Sequence, residues 1–245
     1  MSVTGEKTTR LTFDAGGDNE PIWSSDGRRI LFQSSSAGGL KLFVRDSSGA
    51  GSQEAVGEMP TGSHLMDWSR DGRFIVYASI GKQRNAELWV LPLTGDRKAF
   101  PFAQSAFNTT QAQVAPNGRW IAYTSYESGR DEVYVQSFPA LGGRRQISTN
   151  GGMQPRWRRD GKEIFYLGSD QNLMAVPVAT EGAFEAGRPS ALFRTRLVPQ
   201  GSQSLWFDIA YDVSSDGQRV LINGPPEDPG PPITVVLNWL GALKK

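Results

Sequence analysis

One phrase, repeated five times, constrains this chain more than any other feature. It reads PIWSSDGRRILF from Pro21, MDWSRDGRFIVY from Met66, AQVAPNGRWIAY from Ala112, PRWRRDGKEIFY from Pro155 and YDVSSDGQRVLI from Tyr211. If the Asp or Asn before the shared Gly is the anchor, the anchors are Asp26, Asp71, Asn117, Asp160 and Asp216, at intervals of 45, 46, 43 and 56 residues. Self-similarity at periods of roughly 20–50 residues marks architectures in which one small unit is stacked repeatedly.

Each copy has the chemistry of a hairpin. A short strand carrying Trp or Val leads to Asp-Gly or Asn-Gly, where Gly accepts positive φ and the Asp or Asn side chain bonds nearby amides. A β-branched and aromatic strand follows. A third strand comes next, in Leu40 to Asp46, Glu87 to Leu93, Glu132 to Phe138, Asn172 to Val178 and Ile233 to Trp239. A weaker fourth follows in four units, near Glu54 to Val56, Ala99 to Phe102, Arg145 to Ser148 and Ala191 to Phe193. Four strands every 45 residues or so predict an all-β fold, a β-propeller of four-stranded antiparallel blades, because such a sheet buries both faces only between neighbouring blades.

The expected blades span about 14–60, 61–108, 109–150, 151–200 and 201–245 of a single domain. Unit five lacks a fourth strand, and Thr8 to Phe13 resembles Arg144 to Thr149. Residues 8–13 are therefore expected to pair with Ile233 to Trp239 and close a five-bladed ring, removing an exposed edge. The alternative is that the chain forms part of a six- to eight-bladed propeller. Three aromatic columns read as inter-blade core: Trp23, Trp68 and Trp157; Phe32, Tyr77, Tyr123 and Tyr166; Phe43, Trp89 and Tyr134. Blades three and five, with Val114 and Val213 in the Trp column, are expected to pack less tightly.

At these five phrases the chain resembles the TolB-like, WD-repeat-like bacterial propeller family, whose blade signature is P-x-W-S-x-D-G-[KR]-x-[IL]-[AV]-[FY]. From EIFYLGS to ITVVLNWL it also resembles the last blades of propellers fused behind membrane-anchored bacterial serine/threonine kinases. The resemblance implies a non-catalytic sensing or docking platform, extracytoplasmic or periplasmic, fused to or associated with a larger protein. The sequence has no Gly-rich ATP loop, HRD or DFG, so kinase activity does not carry over.

Composition narrows the chemistry. A net charge of +1 gives none of the basic excess that nucleic-acid binding requires. The absence of Cys excludes thiolate nucleophiles and Cys-ligated zinc. No apolar run approaches a membrane span, the polar start MSVTGEKTTR is no signal peptide, and no cofactor motif is recognisable. His64 is the sole histidine, without a second for a metal pair and without G-x-S-x-G for a triad. Six residues before each anchor stand Glu20, Leu65, Gln111, Gln154 and Ala210; four before stand Ile22, Asp67, Gln113, Arg156 and Asp212. A first strand bordering the central channel makes Glu20, His64, Asp67, Gln113, Arg156 and Asp212 the binding candidates, for a protein partner or a small polar ligand at the blade-entrance mouth. The carboxylates also raise the alternative of a five-bladed glycoside hydrolase, whose acid and base stand about 5–10 Å apart. A basic run, Arg144 to Lys162, and the Pro-rich stretch Asn223 to Pro232 read as a solvated face and a stiff loop.

Overall fold

The computed structural model describes residues 10–13, 16–35, 39–103, 105–140, 142–197 and 209–223, and the backbone of 233–237. The Ser-x-Asp-Gly turn shows how the repeat dictates structure. The Ser24 hydroxyl donates to Asp26 Oδ1 at 2.6 Å and accepts from the Arg29 amide at 2.9 Å. Asp26 Oδ1 accepts from the Arg28 amide at 3.0 Å, and the Gly27 amide donates to the Ser24 carbonyl at 2.9 Å. Ser69 with Asp71 and Ser214 with Asp216 repeat this arrangement. In the fourth unit Arg158 replaces Ser and bonds both oxygens of Asp160, at 2.7 and 2.9 Å. The Ser24 hydroxyl holds the Asp26 carboxyl below its usual range, and Arg158 does the same for Asp160. The turn glycines have φ of 69° to 73° in all five copies, a conformation that costs a residue with a Cβ.

Five antiparallel sheets follow, one per repeat. Blade 1 comprises β1 (Asp18–Trp23), β2 (Arg29–Ser34), β3 (Leu40–Asp46) and β4 (Glu54–Met59). Blade 2 comprises β5 (His64–Trp68), β6 (Phe74–Ile80), β7 (Ala86–Pro92) and β8 (Phe100–Ala103). Blade 3 holds β9 (Thr109–Val114), β10 (Trp120–Ser125), β11 (Glu132–Ser137) and β12 (Arg145–Gln146). Blade 4 holds β13 (Gly152–Trp157), β14 (Glu163–Gly168), β15 (Asn172–Ala179) and β17 (Ser190–Arg194), with the short β16 (Glu185–Ala186) on the far end of β15. Blade 5 comprises β18 (Tyr211–Val213), β19 (Arg219–Asn223) and β20 (Ile233–Leu237). The aromatic columns on the second and third strands meet as cross-strand pairs. Phe32 faces Phe43, Tyr77 faces Trp89 and Tyr123 faces Tyr134.

Packing follows the seams between blades. Four hydrophobic clusters each join two consecutive blades. Leu31 and Leu42 meet Leu65, Trp68 and Ile75, and Val76 and Leu88 meet Val114, Ile121 and Tyr123. Ala122 and Val135 meet Trp157, Ile164 and Phe184, and Phe165 and Leu173 meet Tyr211 and Val220. No such cluster among the described residues joins blade 5 to blade 1. Five residues after the anchor, Leu31, Val76, Ala122 and Phe165 are all 0% exposed, whereas Leu221 of blade 5 is 44% exposed.

Three expectations change. Trp23 is not core like Trp68 and Trp157: it is 47% exposed against 7% for each of the others, and among the described residues no cluster from blade 5 includes it. Blade 3 is not loosely packed. Val114 is buried, and Trp120, three residues after the anchor, fills the next seam against Phe184 and donates to the Thr180 carbonyl at 3.2 Å. Thr8 and Thr9 of the expected closing strand lie outside the described residues, and Arg10–Phe13 form no strand. The Arg10 guanidinium bonds the Thr12 carbonyl at 2.7 Å, and Leu11 lies beside Gly49 in the β3–β4 turn. Residues 198–205 of the long loop and 224–232 of the Pro-rich stretch also lie outside the described residues.

The seams set an energetic contrast. Leu31→Ala should lower stability by about 2–5 kcal/mol, whereas Leu221→Ala at the same repeat position should cost less than about 1 kcal/mol. Urea midpoints of the two variants measure this, and equal losses would show that the rear face of blade 5 is packed like the others. Gly72→Val should cost about 1–3 kcal/mol through backbone strain alone, since a Cβ there meets nothing within 4 Å.

Candidate functional site

The innermost strands β1, β5, β9 and β13 all carry a register shift just before the anchor hairpin. In three of them the residue six before the anchor has positive φ, 53° at Glu20 and Gln111 and 56° at Gln154. A bulge of this kind re-aims side chains that a regular pleat would send to the opposite face.

The re-aimed groups reach the next blade. Glu20 Oε2 accepts from the Leu65 amide at 2.6 Å, and Glu20 Oε1 lies 2.5 Å from His64 Nδ1. Gln111 Oε1 accepts from the Gln154 amide at 3.1 Å and from the Thr124 hydroxyl at 3.0 Å. Gln154 Oε1 accepts from the Ala210 amide at 2.8 Å. Two residues further along, Asp67 Oδ2 accepts from the Val114 amide at 2.8 Å and Gln113 Oε1 from the Trp157 amide at 2.7 Å. Apart from the Thr124 hydroxyl, which lies in the same blade as Gln111, every acceptor sits one blade before its donor. Much of the polar set read from the sequence as channel-facing thus ties consecutive blades together. Asp212, which has the same repeat position as Asp67 and Gln113, lies in blade 5 and turns its Oδ1 onto the neighbouring Val213 amide at 2.8 Å.

Two cavities occupy the channel. The first, of about 340 Å³, takes a residue from every blade three positions before the anchor: Trp23, Trp68, Val114, Trp157 and Val213. It also takes one from every blade immediately before the anchor: Ser25, Arg70, Pro116, Arg159 and Ser215. Five blades therefore encircle one mouth, at the end of the innermost strands that carries the Asp-Gly turns, opposite the entrance end that sequence reasoning favoured. Its lip is braced by Ser25 donating to the Arg70 carbonyl at 2.8 Å and by Arg70 donating to the Arg159 carbonyl at 2.6 Å. The second cavity, of about 390 Å³, shares Trp23, Asp67, Gln113 and Asp212 with the first and adds Arg156, Tyr211 and Leu221.

The structure therefore groups Asp67, Gln113, Arg156 and Asp212 and leaves Glu20 and His64 as a pair outside both cavities. The basic run disperses: Arg144 pairs with Glu127 at 2.5 Å, and Arg158 pairs with Asp160 and Glu163. Sequence reasoning missed Trp23, Arg70 and Arg159 as cavity residues. For the last two, the signal was the polar column immediately before the anchor. Burial pushes the Asp67 carboxyl up to about 6, opposed by the Val114 amide and the Arg156 charge and assisted by Asp212. Among the described residues, no group of three His, Asp or Glu side chains is placed to hold a metal, and no helix is long and apolar enough to cross a membrane.

No known family profile matches the chain. Among solved structures it is similar to TolB from Acinetobacter baumannii, at a TM-score of 0.72 and 19% identity, covering 96% of this chain and 55% of that one. The chain thus spans about half the length of that TolB. A putative TolB from Agrobacterium tumefaciens follows at 0.58 and 17% identity, covering 85% and 70%. The β-propeller domain of the Trilobed protease from Pyrococcus furiosus, described as having an open velcro topology, follows at 0.55 and 12%, covering 90% and 68%. The shared feature is the β-propeller fold, as the repeat signature implied.

The raised carboxyl sets a pH dependence. With Asp67 near 6 in the folded state and 3.8 as its ordinary value, the folded chain holds the proton more tightly. Its stability should then fall as pH rises from about 4 to 6, with the full cost present above 6. Asp67→Asn keeps a carbonyl acceptor for the Val114 amide. It should flatten that slope and stabilise the protein at pH 7 by on the order of 2 kcal/mol, allowing for solvent at this partly exposed group. Chemical denaturation at pH 4, 5, 6 and 7 would show this, and parallel wild-type and variant curves would remove the buried-charge interpretation.

Proposed function

We propose that this chain is a non-catalytic binding platform whose ligand, a protein segment or a small polar molecule, seats in the turn-end mouth of the channel. One observation carries the reading: a cavity to which all five blades contribute, lined by polar groups that differ from blade to blade. Repetition explains the inter-blade ties, the turns and the seam cores. It does not explain Trp23 and Asp212 lining two adjoining cavities, with Arg159 in the first and Arg156 in the second, and a site grafted onto a repeated scaffold has this form. We place the working compartment outside the cytoplasm and the chain within or beside a larger protein, on the strength of the resemblance to TolB-like and kinase-fused propellers.

A thermal-shift panel of amino acids, short peptides, nucleotides and saccharides, each at millimolar concentration, tests the site. Ligands that raise the wild-type melting temperature should lose that effect in Arg159→Ala and Asp212→Ala, both at the turn-end cavity, whose own melting temperatures should stay within about 2–3 °C of wild type. Retained shifts in both variants would place binding elsewhere.

A further inference from the structure

We infer that the turn-end cavity takes a neutral saccharide, stacked on the face of Trp23. The inference rests on the reading above that this cavity is the binding site, and goes on to name the chemical class of ligand.

Trp23 is the starting point. Its counterparts Trp68 and Trp157 are buried in seams, but its own indole is 47% exposed and lines both cavities. A large flat apolar surface left wet inside a polar cavity suits a ligand with one flat apolar face. The rim limits the choice further. Asp67 and Asp212 offer carboxylate acceptors to both cavities, and guanidinium donors come from Arg159 in the turn-end cavity and from Arg156 in the cavity that adjoins it. The carbonyl oxygen of the Gln113 amide is engaged by Trp157, so its NH₂ is the group presented as a donor. An anionic ligand would meet two carboxylates, and a cationic one would meet the arginines. An apolar ligand would strip water from all of them without compensation.

A pyranose satisfies each constraint. Its C–H face covers the indole, and its ring-edge hydroxyls both donate and accept, so one ligand can answer carboxylates and guanidinium groups together. The two compartments, of about 340 and 390 Å³, share Trp23, Asp67, Gln113 and Asp212. Such continuity favours a disaccharide or longer over a single ring.

The test titrates the full chain with cellobiose, maltose, N,N′-diacetylchitobiose and arabinobiose, following Trp fluorescence and, independently, calorimetry. Tetramethylammonium and inorganic phosphate serve as charged comparators. At least one disaccharide should bind saturably in the micromolar to millimolar range. Trp23→Ala should weaken it by tenfold or more with the melting temperature nearly unchanged, Trp23→Phe should retain part of the affinity, and Asp212→Asn should weaken it severalfold. Silence from every saccharide up to tens of millimolar overturns the inference, as does saccharide binding that Trp23→Ala leaves intact. If a charged comparator or a peptide binds and depends on Asp212 and Arg156, the saccharide assignment fails while the platform reading stands. Release of reducing ends from a bound disaccharide, lost in Asp67→Asn, would support the saccharide assignment and overturn the non-catalytic half of that reading.

Discussion

A four-stranded sheet with two apolar faces can be covered only by another sheet like it, and that requirement organises the rest of this molecule. The seams from blade 1 to blade 5 are built alike. A wholly buried second-strand residue meets the Trp or Val column of the next blade and, in three seams, that blade's second-strand Tyr, whose place in the fourth is taken by Ile222 and the first-strand Tyr211. Because each blade depends on its neighbour, stability is close to a sum of seams. The join between blades 5 and 1 is the exception. There the position that is fully covered in four blades becomes the half-exposed Leu221.

Hydrogen bonds parallel to the cores fix the angle between blades. Glu20, Gln111, Gln154, Asp67 and Gln113 each reach a backbone amide of the following blade. Buried amides of the innermost strands at these points have no ladder partner on the channel side, and an unmet buried donor costs about 1–3 kcal/mol. The bulge lies beside the residues six and four before the anchor, from which these side chains reach the next blade. Polarity at those positions is therefore first a structural requirement, and in blade 5, where Asp212 accepts from the neighbouring Val213 amide, it is released from that role.

The fold was legible because a repeat turns weak local signals into a strong one. One Asp-Gly between two apolar runs is an ordinary hairpin signal, but five in register specify strand count, blade count and the third strand to within a residue or two. The same logic misleads at blade 1. A repeat column groups Trp23 with Trp68 and Trp157 but carries no information about which member stays exposed. Similarity to Arg144 to Thr149 likewise cannot report whether Arg10–Phe13 form a strand. The site was half legible. Asp67, Arg156 and Asp212 stood out as a column varying in charge, yet alternation along an ideal strand cannot foresee a bulge. Neither the inter-blade role of Glu20 and Gln113 nor the pairing of Glu20 with His64 was readable.

These two departures from repetition are one fact seen from two sides. Were blade 5 to cover blade 1 as the other seams are covered, Trp23 would lie in a core like Trp157, and Asp212 would face the backbone amide that follows it in the ring, as Asp67 faces Val114. The channel would then be a ring of satisfied groups with nothing to offer a ligand. The incomplete seam leaves an indole and a carboxylate facing the same space as Arg156, and the lost burial is the energetic cost of having them there. Proteins commonly break a local rule where function needs it. In this propeller the break falls between blade 5 and blade 1, so a cavity lined by an indole and charged groups stays open at little expense to the four seams that join the described blades.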